Sequence, residues 1–169
     1  SSVSTIASTL GFTGLKIIPT VIVAPTTGTL LYSGDGIAGI TGSTSFGTLT
    51  TLVSAPTYIA IEDSAAGGTV IDTSTLTPGV SGGASLTLYS NTRDRFNNFA
   101  ANVASTWSLV DPTAGVIGGN LVPSDDTKNA VFTGNLVGTA VVQAVGDFTD
   151  TTGLVTVVPG PVSASVSTV

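Results

Sequence analysis

The sequence predicts an all-β fold, a β-sandwich preceded by an additional β segment. Two observations predict this class. Short runs rich in β-branched and aromatic residues recur along the chain, and each is bounded by Gly, Pro, Asn or Asp, as strands of antiparallel sandwiches are. The chain also contains 21 glycines and 8 prolines, which supply the turns between such strands. No apolar run approaches the ~18 residues of a membrane-spanning helix, so we expect no membrane insertion.

Composition narrows the classes of function. Charged residues make up 8% of the chain and leave a net charge of −6, so the electrostatic attraction that nucleic acid binding requires is missing. His and Cys are absent, which removes the usual nucleophile–base pairs and the imidazole or thiolate metal sites. We therefore expect neither an enzyme nor a nucleic acid partner. A chain without Cys and Met offers little to oxidants, which suits an extracellular or cell-surface location.

Residues 1–55 are predicted to form an N-terminal β segment. A strand-like run over 15–23 contains Pro19, which removes a ladder donor and favours an edge strand or a bulge. Further strand-like runs cover 29–32 and 48–53. Three or four strands seldom bury enough apolar surface to be stable alone, so we expect this segment to dock on the later domain or to be completed by another chain. Its candidate assembly residues are Ile17, Ile18, Val21 and Val23.

Residues 56–158 are predicted to form the sandwich. About seven strand-like runs over about a hundred residues match the size and strand count of an immunoglobulin-like sandwich. The runs cover 58–63, 69–72, 86–89, 103–109, 130–133, 139–145 and 154–158. A turn is expected over 91–98, since Asn and Asp are favoured in turns. Trp107, the only tryptophan, is expected to fill the core. The other predicted core residues are Leu86, Leu88, Val103 and Phe132.

Residues 159–169 are predicted to be a proline linker and a terminal strand. Pro159-Gly160-Pro161 is stiff, and apolar and hydroxyl residues alternate after it to Val169. Such a strand could act as a donor strand that adds to an exposed sheet edge of the next molecule. Its candidate assembly residues are Val162, Ala164 and Val166. The alternatives are an ordinary strand of its own domain and the start of a following repeat.

Residues 89–158 resemble a known family. The run Arg93-Asp94-Arg95-Phe96-Asn97-Asn98-Phe99 is similar to the Asp-x-x-Gly-Asn turn of bacterial Ig-like domains, the repeats of invasin- and intimin-type surface proteins. The likeness continues in 103–108, 129–134 and 137–144, and extends more weakly over 58–158. Asn97 stands where the family usually has glycine, and asparagine tolerates a left-handed conformation better than most residues. The resemblance implies a mechanical or spacer role at the cell surface, with no catalytic residues.

Calcium is the metal for which the sequence offers ligands, because it needs only oxygen atoms. The candidate ligands are the loop carboxylates of Asp35, Asp125, Asp126, Asp147 and Asp150. None of them fits the spacing of an EF-hand loop. The alternative is that each aspartate is a turn residue. No cofactor is therefore predicted, and bound calcium stays open as an alternative.

The few ionisable residues predict a weak dependence of stability on pH. Glu62 is the only glutamate, and Asp63 beside it would point to the opposite face of a strand, so a paired-carboxylate site is not expected. Arg93 and Arg95 flank Asp94. The two arginines could pair with acids of a neighbouring subunit, form a local ion pair or remain solvated. We expect a melting temperature, Tm, that changes little between mildly acid and mildly alkaline buffer.

These features favour a structural subunit of an extracellular filament, pilus-like fibre or surface layer that self-assembles through β-strand contacts. Low charge with high apolar content indicates surface that is buried in an assembly, so the expected partner is another copy of the chain. The competing hypothesis is an adhesin or carbohydrate-binding module whose partners are glycans or a host surface. Its candidate contact residues are Tyr32, Tyr58, Tyr89, Phe96 and Phe99. A passive spacer repeat of a larger surface protein is the third hypothesis.

Overall fold

The computed structural model describes residues 27–31, 45–78 and 83–161. Several residues singled out by the sequence lie outside these ranges, namely Ile17, Ile18, Val21, Val23, Tyr32, Asp35, Val162, Ala164 and Val166.

The described residues form eleven strands and one 3₁₀ turn at Gly118–Asn120. The strands are β1 Thr27–Leu31, β2 Ser45–Thr50, β3 Pro56–Glu62, β4 Ser74–Leu76, β5 Ala84–Asp94, β6 Phe99–Asn102, β7 Thr106–Val110, β8 Leu121–Pro123, β9 Asn129–Gly134, β10 Gly138–Val145 and β11 Thr149–Val157. The predicted all-β class is confirmed. Within the described ranges, no helix has the length and apolar character needed to cross a membrane.

Two sheets built from β3 to β11 form the sandwich. One sheet has the order β3-β5-β9-β8, and β6 also pairs with β5. The other has the order β4-β11-β10-β7. All pairs are antiparallel except that β4 runs parallel to β11. The return strand expected over 69–72 is reduced to a single bridge between Glu62 and Val70.

The core lies between the two sheets and follows from the alternation of side chains along each strand. In β10, for example, Ala140, Val142 and Ala144 are fully buried, while the residues between them are partly exposed. Buried residues of both sheets form a single hydrophobic cluster, so the inner faces pack directly on each other.

The predicted core residues lie in different places relative to this cluster. Trp107, Leu88 and Phe132 are buried members of it, and Leu86 is half-buried and packs against it. Val103 is half-buried and lies in the connection between β6 and β7, outside the cluster. The indole Nε1 of Trp107 donates a 2.8 Å hydrogen bond to the backbone oxygen of Thr127, so the ring's only polar atom is satisfied.

The chain enters and leaves the sandwich at opposite ends. Pro56, the first residue of β3, pairs with Asp94, the last residue of β5. At the other end of β5, Ala84 pairs with Gly134, and a Cβ on Gly134 would lie 2.7 Å from the side chain of Val157, the last residue of β11. We call these the Asp94 end and the Gly134 end. They are about 33 Å apart, because a strand of 11 residues rises ~3.3 Å per residue.

Strands β1 and β2 form a separate two-stranded antiparallel sheet, which we call the ribbon. Every residue of its two strands is exposed. A two-stranded sheet is at best marginally stable in water when nothing packs on it.

Candidate functional site

The turn that carries the family resemblance lies at the Asp94 end. β5 ends at Asp94, β6 begins at Phe99, and Asn97 between them has φ +66°, so its predicted left-handed conformation is confirmed. The turn is shorter than the predicted 91–98, because residues 91–93 continue β5 and pair with both β3 and β6. Pairing on both sides overrides the weak strand preference of asparagine.

The Asp94 carboxylate is fully buried and organises this turn. Oδ1 accepts 2.9 Å hydrogen bonds from the backbone N–H groups of Phe96 and Asn98. Oδ2 accepts hydrogen bonds from the backbone N–H of Ser54 at 2.9 Å and from its hydroxyl at 3.1 Å. The Asn98 side-chain amide donates to both oxygens, at 3.2 and 3.0 Å. Asp94 therefore joins its own turn to a residue 40 positions earlier in the chain.

These hydrogen bonds determine the ionisation of Asp94. Burial alone would raise its pKa, but the hydrogen bonds from Asn98, Ser54 and Phe96 favour the anion and hold the pKa well below its usual range. A carboxylate offers about four lone-pair sites, and N–H and O–H donors fill those of Asp94. This carboxylate is thus a structural anion, unsuited to acid–base chemistry or to binding a cation.

A buried ion pair lies beside the turn. Arg93 donates through Nε to Oε1 of the fully buried Glu62. Oε2 of Glu62 accepts from the backbone N–H of Gly68 at 2.7 Å and from the Asn91 amide at 2.8 Å. Burial alone would raise the pKa of Glu62, but Arg93, Gly68 and Asn91 together hold it below its ordinary value. Hydrogen bonding to Glu62 raises the pKa of Arg93. Of the alternatives for Arg93, the local ion pair is confirmed.

Arg93 also connects the ion pair to the turn. Its Nη1 donates a 2.6 Å hydrogen bond to the backbone oxygen of Asn97. The Asn97 side-chain oxygen in turn accepts a 2.5 Å hydrogen bond from the hydroxyl of Tyr58 in β3. The ion pair, the turn and β3 are therefore held in one network of hydrogen bonds.

We call Ser54, Glu62, Arg93, Asp94 and Asn98 the linker cluster. It fixes how the chain enters the sandwich, because Ser54 precedes β3 and donates from its backbone N–H and its hydroxyl to Asp94, the last residue of β5. Sequence reasoning noticed Glu62, Arg93, Asp94 and Asn98, the last two as parts of the predicted turn, but it missed Ser54 and the contacts that join the cluster. The spacing of Asp94 and Asn98 was a usable signal, since aspartate side chains commonly accept hydrogen bonds from backbone N–H groups a few residues later.

The four predicted calcium ligands within the described ranges, Asp125, Asp126, Asp147 and Asp150, are turn or strand residues. Asp125 and Asp126 are exposed in one turn, where Asp126 accepts hydrogen bonds from the Ser124 hydroxyl and the Lys128 backbone N–H. Asp147 is exposed, and Asp150 accepts a 2.9 Å hydrogen bond from the backbone N–H of Ile61. Across the described ranges, no three acidic, histidine or cysteine side chains come together in a group that could hold a metal ion.

The described aromatic candidates for carbohydrate contact differ in their exposure to solvent. Tyr58 and Phe96 are exposed at the Asp94 end, whereas Tyr89 and Phe99 are half-buried. The Arg95 guanidinium lies 4.5 Å from the centroid of the Phe96 ring, so a cation–π contact already occupies one face of this ring.

A shallow groove of about 480 Å³ lies beside Trp107. It is lined by Ala104, Ser105, Thr106, Trp107, Pro123, Thr127, Val145 and Gly146. None of these side chains carries charge, and the groove offers no acid, base or nucleophile stronger than a hydroxyl.

The two buried carboxylates predict loss of stability in acid. Their pKa values are lower in the folded than in the unfolded chain, so the stabilisation is complete above the ordinary values of 4.5 for Glu62 and 3.8 for Asp94. It is lost as the pH falls through the lower, folded-state values. We expect a Tm that is flat from about pH 5 to 8 and falls steeply below about pH 4, as calorimetry would measure. A Tm that stays constant down to about pH 2 would contradict this.

The sequence-based expectation of weak pH dependence rested on the small number of ionisable residues, and it did not foresee that Glu62 and Asp94 are both fully buried. The expectation for mildly acid and mildly alkaline buffer is unchanged, because both groups stay ionised there.

The linker cluster is thus a structural joint built from ionised and amide groups, with every described carboxylate oxygen of Glu62 and Asp94 accepting a hydrogen bond. No protein-family model, curated protein or solved structure matches this chain.

Proposed function

We propose that this chain is a structural subunit of an extracellular filament, pilus-like fibre or surface layer, in which an immunoglobulin-like sandwich is an in-line module and copies join through β-strand contacts. The observation that carries the proposal is the position of the two chain ends. The chain enters the sandwich at the Asp94 end and leaves it at the Gly134 end. Modules joined in this way extend along a line, as a fibre requires.

The strand order supports an immunoglobulin-like module. An immunoglobulin sandwich arranges its strands as ABED in one sheet and CFG in the other. The orders β3-β5-β9-β8 and β11-β10-β7 correspond to these two sheets when the strands are lettered along the chain, with β4 added beside β11. Trp107 then lies on the strand that corresponds to C, where such sandwiches often bury a tryptophan.

The pairing of the outer strands supports a mechanical role. β4 comes early in the sandwich and β11 is its last strand, and the two run parallel with Ser74, Thr75 and Leu76 opposite residues 155–157. A pull between the two ends of the module acts along these strands. The hydrogen bonds of the pair must then fail together rather than one after another, so they resist extension.

The linker cluster supports an ordered joint between successive parts of the chain. Asp94 accepts hydrogen bonds from both the backbone and the side chain of Ser54, so two hydrogen bonds hold the chain just before β3 to the end of β5. A fibre subunit needs such a joint because a freely jointed chain would not hold its neighbours in register. A passive spacer repeat would need the same joint. Unlike a fibre subunit, it would remain monomeric.

Electron microscopy of the purified chain, beside a variant that ends at Gly160, tests the proposal. Filaments or ordered layers from the full chain are expected, and their loss in the shortened variant would identify the terminal strand as the part that joins neighbours. Filaments from both would keep the subunit and exclude the terminal strand as the connector. Monodisperse single particles from both chains at all concentrations would overturn the proposal in favour of a spacer.

A further inference from the structure

Four of the five edge strands that the structure describes in the sandwich are protected against the addition of a further strand. On β3, the backbone N–H of Ile61 donates a 2.9 Å hydrogen bond to Asp150, and its backbone oxygen accepts a 2.8 Å bond from Ile71. β4 and β8 have three residues each, and β8 ends at Pro123, which has no N–H to donate. β6 has four residues and a register shift against β5. Short, irregular or capped edges resist pairing with another chain.

β7 is the remaining described edge strand, and its sequence carries none of these protections. It pairs with β10 through all five of its residues, and no described strand pairs with its other side. It contains no proline and no charged residue. Thr106 and Ser108 are exposed, and Trp107 between them is buried. The uncharged groove beside Trp107 lies along the same half of the strand. β7 is therefore the described edge best suited to accept an added strand.

One stretch outside the described ranges has an alternation that matches β7. Residues 162–167 read Val-Ser-Ala-Ser-Val-Ser, with an apolar residue at every second position. Beside β7, such a strand places its serines on the outer face with Thr106 and Ser108, and its apolar residues on the inner face with Trp107. The strand-like run 15–23 lacks this alternation and contains a lysine and a proline. The other undescribed stretches also lack six successive residues of this kind.

The chain leaves the sandwich at the edge opposite to β7. In the order β4-β11-β10-β7, strands β4 and β7 lie at the two ends of the sheet. After β11, the backbone N–H of Val158 donates a 3.0 Å hydrogen bond to Leu76 of β4, and a Cβ on Gly160 would lie 2.4 Å from the backbone oxygen of Pro78. The chain beyond β11 therefore follows β4.

Residues 162–167 consequently cannot lie along β7 of their own copy. Val110, the last residue of β7, pairs with Val141, three residues in from the start of β10, where β11 ends. The path from Gly160 to the free side of β7 crosses at least three strand spacings and returns about six residue positions, a distance of about 24 Å. An extended chain needs about seven residues for this distance, which uses all of 161–167. A β7 edge that pairs with this segment must belong to another copy.

We propose that the free edge of β7 accepts residues 162–167 of a neighbouring copy as an added strand. This rests on the proposed function, because it names the surface that the terminal strand of one subunit joins on the next. Backbone hydrogen bonds supply the affinity, and the alternation of serine and apolar side chains determines which face turns inward. The segment leaves one copy at the Gly134 end, whereas β7 begins opposite Val145, toward the Asp94 end. The contact is therefore head to tail and repeats along a line.

Disulfide trapping between separately purified copies tests this contact, because the chain has no cysteine of its own. One preparation carries Ser108→Cys, and the other carries Ser163→Cys, Ser165→Cys or Ser167→Cys in turn, so that each mixture samples a different register. The control preparation carries Thr75→Cys, an exposed position on the β4 edge. The preparations are mixed before assembly and oxidised mildly, and mass spectrometry identifies the linked peptides. We expect at least one mixture to link to position 108 roughly 10-fold more than to position 75.

Each outcome decides a different statement. Filaments or layers that form without any link to position 108, or that link equally to position 75, overturn the β7 contact and leave the proposed function standing. Filaments that survive in the variant ending at Gly160 also overturn the β7 contact, because the segment is then not needed. Mixtures that remain monomeric at every concentration overturn both proposals. An unchanged Tm for each variant shows that the fold is retained, since the substituted positions in the sandwich are exposed.

Discussion

Replacement of Asp94 by alanine is expected to lower the Tm of the sandwich by more than about 10 °C. The change leaves the N–H groups of the buried Asn98 and of Phe96 without their acceptor, and it removes both bonds to Ser54. Unsatisfied buried donors are costly because they lose water without gaining a partner. Calorimetry at pH 7 measures the effect.

One further variant separates the charge of Asp94 from its shape, and a second at another aspartate is the control. Asp94→Asn keeps the size of the side chain but turns one oxygen into an N–H donor that faces other donors, so it should be destabilised nearly as much. Asp147→Ala removes an exposed aspartate from the turn between β10 and β11 and should shift Tm by no more than about 2 °C. An Asp94→Ala protein as stable as the Asp147→Ala protein would show that the linker cluster does not stabilise the sandwich.

The sandwich could be predicted because its signal is local. Alternation of side chains is visible in any single strand, and β10 shows it as alternate buried and partly exposed residues. Trp107 could be placed in the core because a large aromatic side chain within a strand-like run gains most from burial between the sheets. The prediction that Val103 is a core residue was wrong. The predicted strand 103–109 begins at Thr106, and Val103 lies in the connection that separates β6 from β7.

The linker cluster could not be predicted because its contacts are distant in sequence. Ser54 reaches Asp94 across 40 residues, and nothing in the local pattern of either residue indicates the other. Glu62 and Arg93 lie on the same face of the paired strands β3 and β5, but that follows only from the register that joins Tyr58 to Arg93. A one-residue shift of that register would have separated the two charges, and sequence alone does not give the register.

In the ribbon too, the sequence did not predict which face each side chain would lie on, although the residues are close in sequence. The predicted strand-like runs 29–32 and 48–53 overlap β1 and β2, but the start of β2 with Phe46 was missed, and a simple alternation would have placed Phe46 and Leu49 on opposite faces. Between the paired positions, β2 has one more residue than β1. The extra residue at Gly47 places Phe46 on the same face as Leu30 and Leu49 and leaves Leu31 on the other. A glycine inside a strand is a known signal for a bulge, yet its consequence for Phe46 depends on the pairing partner.

Replacement of Arg93 by methionine is expected to lower the free energy of unfolding by about 2–3 kcal/mol, because the carboxylate of Glu62 stays buried without its cationic partner. Methionine keeps most of the length of the side chain, so the loss reports the guanidinium. Urea unfolding followed by the fluorescence of Trp107 measures it. Arg95→Met is the matched control on the exposed turn and should cost no more than about 1 kcal/mol, the value of its contact with Phe96.

The double variant Glu62→Gln/Arg93→Met distinguishes a structural ion pair from two independent contributions. Removing both charges leaves no unpaired charge at positions 62 and 93, so the double variant should be more stable than Arg93→Met alone, with a coupling free energy of about 1–2 kcal/mol between the two positions. The amide of glutamine can still accept from Gly68, and part of the network therefore survives. If the free-energy changes of the two single variants simply add up in the double variant, the two charges do not interact and the structural ion pair is contradicted. In that case the linker cluster would depend on the hydrogen bonds of Asp94, and Arg93 would act chiefly through its bond to the Asn97 backbone.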